Sequence, residues 1–257
     1  MRGIDWPLLW RLSVAGMRRR TSDRLLGAAW WLLDPLLLVA VYALVFGGLL
    51  GFGRHASQHA YPLFVACGIV VWRWFVLAST QGAAAFTQNA PVLLSMPVDR
   101  ETVLLSEWLA ATGQSLAGVA VLLGAMALYG APFTVNLLLL PLPLLVMAAL
   151  GLGVTYALCP LGVMVPDVGN LYAAALRVIW FLSPGLYALD LVPARARGLY
   201  VALNPLAGVL EGVRRPIHAG LPPDWGALLW SVAWGVALLL GGRALFRALS
   251  DDAIRML

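Results

Sequence analysis

Long runs of uncharged, apolar residues constrain this chain more than any other feature of its sequence. Several are longer than the roughly 20 residues that an α-helix needs to cross the 30 Å hydrocarbon core of a bilayer. Of the 257 residues, 61% are hydrophobic and 11% are charged, whereas soluble domains have about 45–50% and about 25%. These proportions exclude a soluble enzyme, a disordered chain and a disulfide-stapled secreted domain. The sequence therefore predicts an integral membrane protein.

The apolar runs predict an all-α polytopic membrane protein with six transmembrane helices. Glycine, proline and charged residues separate the runs, as is typical of loops. The predicted spans are Trp30–Phe52, Tyr61–Phe86, Val103–Tyr129, Val135–Val163, Leu171–Leu189 and Trp225–Ala244. On this interpretation residues 1–257 form one transmembrane domain.

The N-terminal segment, residues 1–29, is not apolar enough to cross. Apolar residues that include Trp6 and Trp10 recur there at helical spacing, and Arg11 and Arg18 lie on another face. A basic, tryptophan-bearing amphipathic helix lies in the headgroup plane, so we predict an N-terminal interfacial helix. The alternative is a positively charged tail that only fixes the topology.

Residues 190–224 contain an apolar stretch that is too short to cross and is interrupted by Asn204 and Pro205. Backbone that enters a membrane and returns must be buried in protein or line a polar cavity, because lipid cannot satisfy its N–H and C=O groups. We therefore predict a pair of short re-entrant helices between spans five and six, on the outer side. A helix lying flat on the surface is the alternative.

The basic residues lead to two further predictions. All 17 of them are arginine, and a phosphate-binding P-loop needs a lysine, so we expect no cofactor on this chain and any ATP and Mg²⁺ on a separate subunit. Outside the spans, arginines are most numerous in the two tails and the second loop, which places both termini in the cytoplasm. No catalytic motif, metal site or nucleic-acid partner is expected.

Polar side chains form stripes along three predicted spans. An ionisable group at mid-membrane costs at least about 2.5–3.5 kcal/mol on insertion scales, so each one predicts a partner or a wet cavity. The candidate channel-lining residues are Trp72, Arg73, Trp74, Thr80, Gln81, Glu107, Gln114, Arg177, Trp180, Phe181 and Tyr187. The alternatives are that Arg73 or Arg177 pairs with Glu107 or Asp34 to hold helices together, and that the aromatic residues form interfacial belts.

Several segments resemble the ABC-2 type transporter permeases. The entry to the first span, residues 24–36, is similar to theirs, and so are Tyr61–Phe64 with Trp72–Phe75 in the second span. Leu182–Tyr187 and Leu203–Leu206 resemble the pattern around the fifth span and its outer loop. The likeness covers nearly the whole chain and is greatest to the exporters of O-antigen, capsule or teichoic acid.

This resemblance implies a homodimer with a channel at its interface and two cytoplasmic ABC ATPase subunits beneath it. The chain would be a permease in the bacterial inner membrane, not an enzyme, and would move a lipid-linked polysaccharide out of the cytoplasm. An exporter of drugs or small lipids from the same superfamily is the alternative, followed by a membrane-embedded lipid-modifying enzyme.

The resemblance also implies roles for particular residues. The loop of residues 87–102 would couple to the ATPase, through Gln88, Asn89, Pro91, Leu94, Asp99, Arg100 and Glu101. Four tail arginines would recruit the lipid-linked pyrophosphate from the inner leaflet, namely Arg18, Arg19, Arg20 and Arg24. Planar guanidinium groups suit phosphate, although a role in topology alone is the other possibility for these arginines.

Overall fold

The computed structural model describes residues 4–22, 26–49, 51 and 61–257, and this part of the chain contains helices but no strand. Its α-helices are α1 (Trp6–Ser22), α2 (Trp30–Tyr42), α3 (Tyr61–Ala83), α4 (Ala85–Gln88), α5 (Ala90–Ser95), α6 (Arg100–Leu128), α7 (Pro141–Met164), α8 (Val168–Leu182), α9 (Ala194–Leu203), α10 (Pro205–Arg214) and α11 (Trp225–Arg255). Short 3₁₀ turns precede α2 and α7, and π-helical turns continue α2 and α10. The predicted all-helical class is confirmed.

Five helical segments are long and apolar enough to cross a membrane. They are Gly27–Leu49, Tyr61–Ala83, Arg100–Leu128, Val135–Met164 and Trp225–Arg255. Each overlaps a span predicted from the sequence, and most ends agree within three residues. The last helix continues past the predicted end at Ala244, and the predicted end of the first span, Phe52, lies outside the described residues.

The fifth predicted span, Leu171–Leu189, is a shorter helix in the structure. Helix α8 has 15 residues and ends at Leu182, so it measures roughly 22 Å, less than the 30 Å hydrocarbon core. Ser183 is extended, with φ −96° and ψ 149°, because the residue before a proline is pushed out of the helical region. A continuous helix to Leu189 is therefore wrong, and the count of six spans stays a prediction.

Residues 190–224 contain the two short helices α9 and α10. The side chain of Asn204 accepts a hydrogen bond from the backbone N–H of Leu206 at 3.1 Å, and Pro205 occupies the first position of α10, a combination that starts a helix. Helix α10 is buried along most of its length, whereas α9 buries only Val201. Two short helices lie where a pair was predicted, and their entry into the membrane stays a prediction.

Helix α3 lies at the centre of the bundle. Two thirds (67%) of its apolar segment is buried, against 6% for the segment that contains α2. Helices α6 and α7 pack most extensively against α3, and α2, α10 and α8 make smaller contacts with it. The sequence of α3 is apolar on nearly all sides up to Val71, which is typical of a helix with neighbours all round.

Helices α7 and α11 make the most extensive helix pair, and glycines set how closely they approach. A Cβ built on Gly242 would lie 2.1 Å from the carbonyl oxygen of Gly153. In membranes such small residues allow the backbones to pack directly against each other. The crossing point of α7 and α11 therefore has no room for even a methyl group.

We expect Gly242→Ala to destabilise the protein by about 1–3 kcal/mol, the usual cost of overpacking. Thermal unfolding of the purified protein in detergent should show a lower midpoint. Gly241→Ala is the matched control, because a Cβ at Gly241 meets no described atom within 4 Å. Equal midpoints for the two variants would contradict the close approach of α7 and α11.

Candidate functional site

Two buried carboxylates lie in the first turns of α6. The side chain of Asp99 caps this helix by accepting a hydrogen bond from the N–H of Thr102 at 3.1 Å, which fixes where α6 begins. Glu101 is 6% exposed and Glu107 is 3% exposed. A buried charge is tolerated only when it is paired and hydrogen-bonded, and both residues have such partners.

Glu107 binds side chains from two other segments. Its Oε1 accepts hydrogen bonds from Arg19 Nη2 at 2.5 Å and from Asn89 Nδ2 at 3.2 Å. Its Oε2 accepts from Arg20 Nη2 at 2.8 Å. We call Glu107, Arg19, Arg20 and Asn89 the Glu107 cluster. It joins the N-terminal helix α1, the turn between α4 and α5, and helix α6 at a single carboxylate.

Arg20 is the more enclosed of the two arginines, with 16% of its side chain exposed against 54% for Arg19. Burial lowers the pKa of the Arg20 guanidinium, Glu107 acts in the opposite direction, and neighbouring Arg19 adds slightly to the lowering. An arginine keeps its proton in a protein. The cluster therefore contains two guanidinium cations around one carboxylate, an excess of positive charge at this end of the bundle.

Glu101 joins a different set of helices. Its Oε1 accepts from the hydroxyl of Tyr156 in α7 at 2.6 Å and from Arg243 Nε in α11 at 2.9 Å, and its Oε2 accepts from Arg243 Nη2 at 3.2 Å. Arg100 forms an ion pair with Asp251, also in α11. The start of α6 is thus fixed to α7 and α11 by charge-assisted bonds, the strong kind.

The predicted coupling loop, residues 87–102, contains the end of α4, the short helix α5 and the first residues of α6. Gln88, Pro91 and Leu94 are exposed, whereas Asn89 belongs to the Glu107 cluster. Leu94 and Met96 are 60% and 59% exposed. Large apolar side chains on a turn at the end of a bundle are a feature of protein-binding surfaces.

Arg73 forms an ion pair with Asp34 of α2. The pair lies in a narrow cleft between α2, α3 and α6, which Gln114 and Trp74 also line. Trp74 donates its Nε1–H to the hydroxyl of Thr112 at 3.2 Å. Of the alternatives left open by the sequence, the pairing of Arg73 with Asp34 is the one observed, and Glu107 pairs with α1 instead of a span arginine.

The other predicted lining residues do not share one surface. Trp72 and Trp180 pack against each other in the core with ring centres 5.3 Å apart. The hydroxyl of Thr80 donates to the carbonyl of Val76 in its own helix at 2.7 Å. Gln81 Oε1 accepts a hydrogen bond from Nε2 of Gln88, on α4, at 3.4 Å.

Helix α8 presents an exposed cation among exposed apolar side chains. Arg177 is exposed, and no ion pair of Arg177 occurs within the described ranges. Val178 and Phe181 beside it are 59% and 62% exposed. The hydroxyl of Tyr187, beyond the helix, donates to the carbonyl of Leu182 at 3.0 Å and lies 3.0 Å from the hydroxyl of Tyr200. A charged side chain in this setting faces protein or water, because lipid does not solvate it.

Two known proteins are similar to this chain over nearly its whole length. The O-antigen export system permease protein RfbA of Myxococcus xanthus is 24% identical over 246 residues, which cover 95% of this chain and 93% of the relative. The O-antigen export system permease protein RfbA of Klebsiella pneumoniae is 22% identical over 249 residues, which cover 96% and 93%. No family model matches the chain. The chain is a relative of the O-antigen export permeases.

The resemblance to ABC-2 type export permeases drawn from the sequence motifs is thus confirmed by two similar proteins that are themselves export permeases. Across the described part of the chain, no group of three or more His, Cys, Asp or Glu side chains is placed to hold a metal ion. What the site offers chemically is charge pairing between helices, an exposed apolar turn and exposed cations.

Sequence reasoning missed several partners in this chain. Arg243, Tyr156 and Asp251 were not among the predicted site residues. A lone phenol within an apolar run was the available signal for Tyr156, because a buried hydroxyl needs a hydrogen-bond partner. Of the tail arginines, Arg18 is exposed, Arg19 and Arg20 bind Glu107, and Arg24 lies outside the described residues.

We expect Glu107→Gln to loosen helix α1. Removing one partner of a buried ion pair costs about 3–5 kcal/mol, and the half-exposed Arg19 reduces this cost. Hydrogen exchange of the purified protein should show faster exchange of the α1 amides. Asp252→Asn is the control, because the Asp252–Arg255 pair is exposed, at 3.6 Å, and such pairs stabilise little. Unchanged exchange in α1 after Glu107→Gln would contradict the role of the cluster.

Proposed function

We propose that this chain is the membrane subunit of an ATP-driven exporter that moves a lipid-linked polysaccharide from the cytoplasm across the bacterial inner membrane. The near full-length similarity to two O-antigen export permeases is the observation that carries the proposal. A permease of this kind works with an ATPase. Because the chain contains no lysine for a phosphate-binding loop, ATP and Mg²⁺ would bind two cytoplasmic ATPase subunits.

The peripheral helices α2 and α8 support a homodimer. They are neighbours, since the rings of Tyr42 and Trp180 meet edge to face at 6.3 Å. Both helices leave most of their side chains uncovered, and Arg177 lies on this face. A second copy packed near the face would shield the cation from lipid and would line a hydrated channel with it. Helix α8 and the Pro184 turn would complete the sixth crossing, with both termini in the cytoplasm.

The coupling loop supports docking of the ATPase. Leu94 and Met96 supply an apolar contact surface, and Asn89 joins the same turn to Glu107. A push on the loop would reach α6 and α1 together, because all three share the Glu107 carboxylate. The residues 190–224, at the other end of the bundle, would form the re-entrant outer region.

The N-terminal helix supports recruitment of the lipid-linked substrate. Trp6 and Trp10 are 68% and 66% exposed and suit the headgroup layer. Arg18 is exposed on the same helix, so it is the described arginine best placed for a pyrophosphate. Arg19 and Arg20 contribute positive charge beyond what Glu107 neutralises, and Arg24 would extend this group.

Deletion of the gene from its host tests the proposed export. We expect the lipid-linked glycan to accumulate in the cytoplasmic leaflet, and the cell surface to lose it, because synthesis continues without a route outward. Separate staining of intact and permeabilised cells locates the glycan, and expression of the chain should restore the surface signal. A normal surface glycan in the deletion strain would contradict the proposal.

The same strain separates the alternatives. Loss of glycan synthesis, in place of internal accumulation, would favour an enzymatic role. Increased sensitivity to hydrophobic drugs, or retention of a small lipid with an unchanged surface glycan, would favour the exporter of drugs or small lipids.

We expect Leu94→Glu to abolish or strongly weaken co-purification with the partner ATPase, because a charge would enter an apolar contact. Leu128→Glu is the matched control: Leu128 is also exposed, at 78%, but it lies at the far end of α6. Pull-down of the ATPase by each tagged variant measures the effect. Equal recovery of the ATPase by both variants would contradict docking at the loop.

A further inference from the structure

A cavity of about 820 Å³ opens at the end of the bundle opposite Glu101 and Glu107. Its walls come from the start of α3, the turn after α8, helix α10 and the segment before α11. The volume falls within the roughly 300–1,000 Å³ typical of ligand sites. We call it the Arg214 cavity, after the buried arginine in its wall.

Arg214 makes one wall of the cavity rigid. It is 3% exposed, and its Nη2 donates to the carbonyls of Pro184 at 2.6 Å and Gly185 at 3.0 Å. Its Nη1 donates to Glu211 Oε1 at 2.6 Å, and its Cζ lies 3.7 Å from the centre of the Phe64 ring. The turn after α8 is thereby fixed to α10 and α3.

The charges that line the cavity balance one another. Arg197 pairs with Asp190 at 3.2 Å and Arg215 with Asp224 at 3.8 Å, in addition to the pair of Arg214 with Glu211. A phosphate would require an excess of cations, and each of these arginines already has a carboxylate partner. The cavity therefore offers hydrogen-bond donors and acceptors side by side without a net field for an anion.

Aromatic rings complete the lining. Tyr61 and Phe64 stack with ring centres 5.9 Å apart and are 6% and 7% exposed, and Tyr187 also lines the cavity. Paired donors and acceptors match the vicinal hydroxyl groups of a sugar, and the apolar C–H face of a sugar ring packs on an aromatic plane. A carbohydrate presents both features, and the partly exposed Tyr187 is the ring available for its C–H face.

We propose that the Arg214 cavity binds an uncharged sugar unit of the exported chain as it leaves the channel. This inference rests on the proposed function and adds the place and the chemistry of an outer binding site. Asp224 and Arg215 would hold sugar hydroxyls as acceptor and donor, with the ring against Tyr187. A binding site at the exit would oppose backward sliding of the polysaccharide between strokes of the ATPase.

Photo-crosslinking tests this site in cells in which the full-length chain restores surface glycan. The photo-reactive residue p-benzoyl-phenylalanine replaces Leu221, which lines the cavity and is 49% exposed. The matched control position is Leu229 on α11, which is 66% exposed and lies outside the lining. After irradiation the purified chain is stained for sugar by periodate oxidation. We expect a ladder of glycan adducts from position 221 and none from position 229.

Charge variants then identify the ligand. We expect Asp224→Asn to lower the adduct yield at position 221 about tenfold, equivalent to one lost hydrogen bond to the ligand. Asparagine still caps α11, whose Ala227 N–H donates to Asp224 at 3.2 Å, so the fold is retained. A phosphate ligand would give a higher yield instead, because Arg215 would be released. The exposed-pair variant Arg255→Gln with Asp252→Asn should leave the yield unchanged.

Restored export with equal labelling at positions 221 and 229, or a yield that Asp224→Asn does not lower, overturns the cavity as a sugar site and leaves the export function intact. Failure of the wild-type chain to restore surface glycan overturns the export function, and the inference with it.

Discussion

The carboxylates of α6 are the constraint on which the arrangement of this bundle depends. A bilayer core solvates neither charge nor free backbone groups, so a buried glutamate must bring its partners to itself. Glu101 brings α7 and α11 to the start of α6, and Glu107 brings α1 and the coupling loop. The described elements at this end of the molecule are therefore placed by two side chains six positions apart on one helix.

Close packing complements these polar contacts. Glu101 binds Tyr156 of α7 and Arg243 of α11. Beside these contacts, Gly153 and Gly242 let the same two helices meet at backbone distance. The hydrophobic effect does not hold helices together within lipid, so van der Waals contact and hydrogen bonds must do so. The α6, α7 and α11 part of the bundle has both, whereas α2 and α8 leave more of their surface exposed. The chain thus combines a fixed frame with a loosely covered side, which is the side that a second copy would cover.

The positions of the spans could be predicted from the sequence, because a run of apolar residues long enough to cross a membrane has few other uses. The end of α8 could have been predicted from Ser183 and Pro184, but its apolar continuation to Leu189 suggested a longer helix. Partners of charged residues were harder. Helical periodicity gives the face on which Glu107 lies, but not which helix packs there, and so Arg19 and Arg20 were interpreted as substrate residues and Glu107 as channel lining. The pairing of Arg73 with Asp34 was foreseen only as an alternative.

If the loop of residues 87–102 binds an ATPase as proposed, the Glu107 cluster would make the N-terminal helix part of the coupling apparatus and not only a membrane anchor. Asn89 and Arg19 bind the same oxygen atom, Oε1, so the loop cannot shift relative to α6 without altering the contact that holds α1. If the loop were joined only to the rigid end of α6, a displacement of the loop by the ATPase would move α6 alone. With the carboxylate shared, the same stroke also changes how firmly α1 is held beside the headgroups, where Arg18 lies. Substrate entry and channel movement would then respond to one displacement, without a separate linkage between them.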